Sequence, residues 1–220
     1  MLILALALPM VLTQCGENAP SYFIDSAKTT FRSVDPGHVL VYGGPGAASG
    51  AVLWINYGEL ETPDWDVAWS EPLEASGAFR FVLDLAPGSP VTIWAASSEQ
   101  QDAELSSPRI FSSDPSDLPA IEEGGTTPGT PGINPTAITL ELLDDHHALV
   151  IGAPGAASGL KIMSVEAQEG AEPNFEAARD RTLGKDGSFR FVSDLYPGFD
   201  LHLRAVGPEG TYAETSFQRP

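Results

Sequence analysis

Apolar and polar residues alternate along this chain in short runs, and the clearest run occurs twice. In Ala78–Leu85 the residues Phe79, Phe81, Leu83 and Leu85 fall on one side, and Arg80, Val82 and Asp84 on the other. A period of two marks a strand with one face on a core. Phe189-Arg190-Phe191-Val192 repeats the phrase in the second half. Each copy runs on to a Pro-Gly turn, Pro87-Gly88 and Pro197-Gly198. There Pro presets φ and Gly accepts a positive one. An apolar strand follows each turn, with Val91, Ile93 and Ala95 in one half and Leu201, Leu203 and Ala205 in the other.

The remaining runs are shorter. Thr29–Val34, His38–Tyr42, Ala51–Tyr57, Asp64–Ser70 and Arg109–Ser112 complete the first set. Thr136–Leu143, Ala148–Ile151, Leu160–Val165 and Thr211–Phe217 complete the second. About seven short strands in the first set, the same order in the second, regular turns and no convincing helix predict a β-sandwich in each half. A second phrase fixes the register between them: Pro-Gly-Ala-Ala-Ser-Gly at 45–50 and again at 154–159. Pro45 and Pro154 are 109 residues apart, whereas Phe79 and Phe189 are 110 apart. One inserted residue in the intervening loop accounts for the change. Thr30 and Thr139, Asp35 and Asp144, His38 and His147, Asp84 and Asp194 also match. The two units are expected at about residues 27–113 and 136–220. Residues 114–135 are rich in Pro, Gly and Thr and keep no hydrophobic period. Such a segment is expected to be a flexible linker, an extended spacer that separates the units rather than docking them.

Ile151-Gly152-Ala153-Pro154-Gly155-Ala156, then Asp186-Gly187-Ser188-Phe189, then Pro197-Gly198 and an apolar strand resemble the bacterial immunoglobulin-like repeats found in tandem on surface and secreted proteins. The first unit has Ser76-Gly77-Ala78-Phe79 where the second has Asp-Gly-Ser-Phe. The resemblance covers residues 27–220 apart from the linker. It implies an all-β chain of two tandem immunoglobulin-like β-sandwich domains with adhesive, spacer or carbohydrate-related roles. It carries no catalytic residues.

The start of the chain has a different character. Residues 2–12 form an apolar block too short to span a bilayer but of the size of a signal-peptide core. The block ends Leu12-Thr13-Gln14-Cys15-Gly16, which resembles the lipobox of bacterial lipoproteins. The family implies a signal peptide over residues 1–14 and a lipid on the Cys15 thiol. It further implies acylation of the freed amine and a tether over residues 15–26. Several acyl chains hold a protein at a membrane far better than one. Gln14 stands where the family usually has Gly, Ala or Ser, and no Lys or Arg precedes the apolar block. The implied location is the bacterial cell envelope, lipid-anchored, with the outer membrane as the first expectation.

Composition narrows the function classes. The formal net charge is −19, from 11 Lys and Arg against 30 Asp and Glu. That argues against nucleic acid, which rewards clustered cations, and against adsorption to anionic lipid by charge. It favours solubility. Cys15 is the one cysteine, so no internal disulfide forms.

Candidate chemistry is sparse. The Pro-Gly-Ala-Ala-Ser-Gly loops have few donors and no charge, so they read as turns rather than phosphate cradles. Asp144-Asp145-His146-His147 offers metal-ligand types, but neighbours on a strand or turn point apart. It reads as a polar turn. Glu59, Glu61, Asp64 and Asp66 could surround Ca²⁺ in a loop, or simply be solvated there. No cofactor or metal is expected. All four tryptophans, Trp54, Trp65, Trp69 and Trp94, lie in the first unit, and Arg204 stands where Trp94 would recur. Trp94 falls on the face opposite Val91, Ile93 and Ala95. An exposed aromatic row could stack on sugar rings; packing into the core is the other reading. These four residues are the candidate ligand-binding set and make the first unit the expected recognition module. No Gly-x-Ser-x-Gly elbow occurs, and the four His are dispersed or sit at turns. The expectation is a non-enzymatic envelope lipoprotein for binding, adhesion or scaffolding. Its partners would be the membrane, through lipid, and an envelope protein or polysaccharide. The alternatives are a carbohydrate-binding module or a passive spacer.

Overall fold

A computed structural model describes residues 22–122, 124 and 130–220. Its strands come in two runs of nine. The first run is β1 (Phe23–Ile24), β2 (Thr29–Asp35), β3 (His38–Gly43), β4 (Ala48–Ser49), β5 (Val52–Tyr57), β6 (Trp69–Pro72), β7 (Phe79–Asp84), β8 (Val91–Ala96) and β9 (Arg109–Phe111). The second is β10 (Gly132–Ile133), β11 (Ile138–Leu142), β12 (His147–Gly152), β13 (Ala157–Ser158), β14 (Lys161–Gln168), β15 (Arg179–Arg181), β16 (Phe189–Asp194), β17 (Phe199–Val206) and β18 (Tyr212–Gln218). Each element of the first half returns nine places on.

The sheets repeat in the same way. A three-stranded sheet β2-β3-β7 faces a four-stranded sheet β6-β5-β8-β9, and β11-β12-β16 faces β15-β14-β17-β18. All pairs are antiparallel. The chain is therefore all-β, two tandem immunoglobulin-like sandwiches. Each has a core of its own. Val39, Val41, Phe79, Phe81 and Leu83 from one sheet meet Leu53, Ile55, Val91, Ile93 and Ala95 from the other. In the second half Ala148, Val150, Phe189 and Phe191 meet Ile162, Leu201, Leu203 and Ala205. The alternation read from the sequence sets these inward faces.

Each Pro-Gly-Ala-Ala-Ser-Gly loop is bonded to the turn that launches the Phe-Arg-Phe-Val strand. Gly46 donates its N–H to the Ser76 carbonyl at 2.7 Å and Ala48 donates to Gly77 at 3.0 Å. In the second half Gly155 donates to Asp186 at 2.7 Å and Ala157 to Gly187 at 3.1 Å. Ala47 and Ala156 are fully buried, so larger side chains have no room there. Gly77 and Gly187 have φ of +75° and +81°, and a Cβ on either would stand 2.2 Å from a backbone oxygen. Only glycine fits that contact.

Four differences from the sequence reading bear on the fold. Phe23–Ile24, expected in the tether, pairs with Ala48–Ser49 inside the first Pro-Gly-Ala-Ala-Ser-Gly phrase. Gly132–Ile133, expected in the linker, pairs likewise with Ala157–Ser158. The strand expected over Asp64–Ser70 begins only at Trp69, because Asp64 closes a turn with Ala68 and binds the Asn56 side chain. Arg179–Arg181 is a strand that periodicity did not announce, since three charged residues carry no apolar alternation. Residues 1–21, with Cys15, the expected signal peptide and most of the expected tether, lie outside the described residues.

Candidate functional site at the junction of the sandwiches

The linker does not hold the sandwiches apart. The outward face of β2-β3-β7 packs on the outward face of β11-β12-β16. Val34, Leu40, Leu143, Leu149 and Val192 form one buried cluster across the two units, with Val82 and Ile151 at its margin. Polar groups close both sides of it. Asp35 Oδ2 accepts the Val192 N–H at 2.6 Å, and Asp144 Oδ2 accepts the Val82 N–H at 2.9 Å. Arg190 Nε donates to the Val34 carbonyl at 2.6 Å, and Arg80 Nε donates to the Leu143 carbonyl. Asp35 and Asp144 are equivalent residues, as are Val82 and Val192, Arg80 and Arg190, Val34 and Leu143. Each unit therefore gives the other what it receives, which is the mark of an isologous interface.

The chemistry of each bond is plain. β7 and β16 are outer strands of their sheets, and outer strands offer N–H groups that their own sheet does not use. A carboxylate from the other unit takes them. Bonds to a charged group are the stronger kind.

A histidine orients each carboxylate. His38 Nδ1 lies 2.7 Å from Asp35 Oδ1, and its Nε2 lies 3.2 Å from Asp84. His147 Nδ1 lies 2.8 Å from Asp144 Oδ1, and its Nε2 lies 3.7 Å from Asp194. Burial opposes the charge of Asp35. The hydrogen bond and charge of His38, then the N–H groups of Gly37 and Val192, outweigh it and hold the carboxyl below the usual aspartate range. Asp144 is lowered in the same way: burial opposes, and His147 with the N–H of His146 wins. Burial pulls His147 down, but the bond and charge of Asp144, then Asp194 and Asp84, raise it. Glu71 is raised by burial and by Asp144, with His146 and His147 pulling back.

Linkage gives the pH dependence its sign. A lowered carboxyl contributes stability above its unfolded value, lost as pH falls through the folded one. A raised histidine contributes below its unfolded value, lost as pH rises through the folded one. Glu71 runs opposite to Asp144: its contribution falls as pH rises through the acid range. Two lowered aspartates against one raised glutamate leave acid as the destabilising side. The thermal midpoint is expected to drop as pH falls through and below the ordinary aspartate range, and more mildly as pH rises past the ordinary histidine value and His147 deprotonates. Replacing both Asp35 and Asp144 with Asn should flatten the acid limb; an unchanged limb would place the titrating groups elsewhere.

The linker takes part in the docking. Ser33 Oγ is 3.0 Å from Ser113 Oγ and donates to the Asp114 carbonyl at 2.8 Å, and Lys185 N–H donates to Glu122 at 2.9 Å. A recess of about 350 Å³ remains between the units, lined by Asp35, His38, Ile121, Arg181, Arg190 and Phe191. Arg181 stacks its guanidinium 4.5 Å above Phe191 and donates from Nε to Ser164 Oγ. Its Nη2 is buried and has no hydrogen-bond partner among the described residues.

The tryptophans do not form an exposed row. Trp94 is 1% exposed and Trp54 9%. They lie directly opposite each other across β5 and β8 and form a second small core with Val52 and Ala96. Leu60, Trp65, Ala68, Ala103 and Leu105 cover it from two loops. Trp65 meets Trp54 edge-on, at 88° and 4.9 Å. Trp69 belongs elsewhere, packed on the main core and tilted against Tyr57 at 5.1 Å. Neither Trp54 nor Trp94 has a face to offer a sugar ring, which removes the reason for reading the first unit as the recognition module. The second unit covers the same surface by other means. Arg204, in the place of Trp94, sits 3.7 Å from the Phe175 ring and 4.4 Å from the Tyr212 ring, and it binds Glu214 at 2.6 Å. A cation between two rings does there what indole does in the first half.

Asp144-Asp145-His146-His147 is a turn, as its pattern suggests, but Asp144 also serves the junction. Its Oδ1 accepts the N–H groups of His146 and His147, both at 2.8 Å. His146 packs on Tyr196 instead, at 4.9 Å. Glu59, Glu61, Asp64 and Asp66 lie exposed in one of the loops over the indoles. Among the described residues no group of three or more His, Cys, Asp or Glu is placed to hold a metal ion.

The sequence reading missed Asp35, Arg80, Val82, Asp144, Arg190 and Val192 as working residues. Their signal was present: the same residue types at equivalent places in both halves, at positions directed away from each core.

No protein-family model matches the chain, and no curated protein matches it. Among solved structures it is similar to a segment of two fibronectin type-III domains from chicken tenascin, at 14% identity and a TM-score of 0.27. That match covers 90% of this chain and 100% of the other. It is similar also to the FN1–FN3 domains of chicken CNTN1, at 8% identity and a TM-score of 0.28, covering 91% and 68% of the two chains.

Proposed function

We propose that the protein is a non-enzymatic lipoprotein of the bacterial cell envelope, anchored through Cys15, whose docked pair of immunoglobulin-like sandwiches is a binding or scaffolding head. The observation that carries the reading is the position of the chain's one cysteine, directly after an apolar run of signal-peptide size and before a polar stretch. The head favours a protein partner over a polysaccharide, because the indoles that would stack on sugar are spent on packing. It favours scaffolding over a passive spacer as well, since two sandwiches locked face to face reach less far than two in line. The outer membrane is the location this reading assigns.

Membrane fractionation of cells expressing the Cys15→Ser variant tests it. The variant is expected to move from the membrane pellet to the soluble fraction, and to lose incorporation of labelled fatty acid. Unchanged retention in the pellet would sink the lipid anchor.

A further inference from the structure

Both docking faces carry the full set of junction groups. Each has one Arg, one outer-strand Val N–H, one Asp and one free carbonyl at equivalent places. The apolar centre is doubled too, with Val34 equivalent to Leu143, Leu40 to Leu149 and Val82 to Val192. A face that holds donor and acceptor at symmetric positions is complementary to itself. Along the facing strands, β2-β3-β7 against β11-β12-β16, the charges differ at one position, Arg32 on β2 and Glu141 on β11.

Arg32 Nη2 lies 3.7 Å from Glu141 Oε1, and Arg80 Nη2 lies 4.0 Å from the same oxygen. Among the described residues Arg190 makes no ion pair of that length. Arg32 is a like charge that, after burial, makes its protonated form less favourable, and the more weakly felt charges of Glu141 and Asp35 pull the other way. The present pairing thus sets three guanidinium groups around one carboxylate.

Pairing each face with its own kind changes that balance. Two first-sandwich faces would bring four guanidiniums together, Arg32 and Arg80 from each, with no carboxylate at the equivalent places. Two second-sandwich faces would put each Arg190 against the Glu141 of the other copy, as Arg80 is now. Two carboxylates would answer two guanidiniums, and the Arg32–Arg190 repulsion would be gone.

We propose that the β11-β12-β16 face is a homotypic docking surface whose partner is the same face of a second copy of this chain, and that the first sandwich masks it. The linker keeps the mask in place. A tethered partner acts at an effective concentration on the order of millimolar, so the intramolecular pair wins while the first sandwich is intact. Displacing it turns a monomer into a dimer joined through the second sandwiches.

The test uses the full chain carrying Leu40→Asp and Val82→Asp. Both residues sit in the junction cluster and outside the first sandwich's own core. Two charges on that face are expected to open the chain, seen as a larger radius of gyration in X-ray scattering. Light scattering during gel filtration is expected to show the mass doubling as concentration rises. Adding Glu141→Arg should return the opened chain to monomer, because four guanidiniums would then meet. The reciprocal variant, Leu149→Asp with Val192→Asp, exposes the first face and should stay monomeric. Loss of the first sandwich's fold leaves the test standing, since the second face is still bared. An opened chain that stays monomeric up to about 1 mM, the concentration a linker itself supplies, overturns the proposal. So does a dimer indifferent to Glu141→Arg, a dimer of the reciprocal variant, or a Leu40→Asp, Val82→Asp chain that remains compact.

Discussion

Replacing Trp94 with Ala is expected to destabilise the first sandwich by about 3–5 kcal/mol, the range for removing a large buried aromatic. Trp94 is among the largest fully buried side chains, at 1% exposure. It stands under two loops and beside Trp54, so its removal leaves a cavity that Trp54 and Trp65 border. Those loops are held by few other apolar groups and should loosen with it. The measurement is urea unfolding followed by tryptophan fluorescence, which reports the first sandwich alone because all four indoles lie there. The Arg204→Ala change at the equivalent place should cost less. Arg204 is partly exposed and trades a cation–ring contact of about 1–2 kcal/mol rather than a buried indole. A Trp94→Ala protein that unfolds at the wild-type urea concentration would mean the residue is not structural. The sugar-stacking reading would then regain its basis.

The second expected result concerns the junction. Asp144→Ala should deprive the Val82 N–H of its acceptor, and Asp35→Ala should do the same to Val192. A bond to a charged group contributes about 1.5–3 kcal/mol, so the double variant loses about 3–6 kcal/mol of docking. Such a loss is comparable to the net stability of a small domain. One thermal transition for the whole chain should separate into two, one for each sandwich. Amide hydrogen exchange gives a sharper reading, since each single variant should accelerate one named amide roughly tenfold to hundredfold and spare the other. Asp144→Ala acts on Val82 and Asp35→Ala on Val192. Acceleration of both amides by either variant would still support docking, with the two ends coupled. Acceleration of neither would refute these bonds.

The sequence made the inward half of each sandwich legible and left the outward half unread. Alternation in Phe-Arg-Phe-Val states which side chains leave the core. It does not state what lies beyond them. Arg80 and Val82 could have faced water; instead they face Leu143 and Asp144. Period two is a property of one strand, and docking is a property of two surfaces, so no window along the chain contains it. Trp94 shows the same limit. Its place opposite Val91, Ile93 and Ala95 was correct. Whether that far face was bare or roofed depended on loops at 58–68 and 97–108, which have no periodicity to read. What did carry information across the gap was duplication. When Asp35 recurs as Asp144 and Arg80 as Arg190, a shared role is more economical than two coincidences, and the shared role is each other's surface.

The two-fold character of the junction has a consequence in time. The chain emerges N-terminus first, and domains generally fold in that order. The second sandwich begins near β10, and its last junction strand, β16, ends at Asp194. From the completion of the first sandwich until that strand emerges, Val34, Leu40 and Val82 have no cover. Arg32 and Arg80, exposed beside them, then act as guards: two nascent first sandwiches on neighbouring chains repel one another where their apolar centres would meet. The charge at residue 32 that sits awkwardly beside Arg190 in the finished molecule is well placed for the unfinished one.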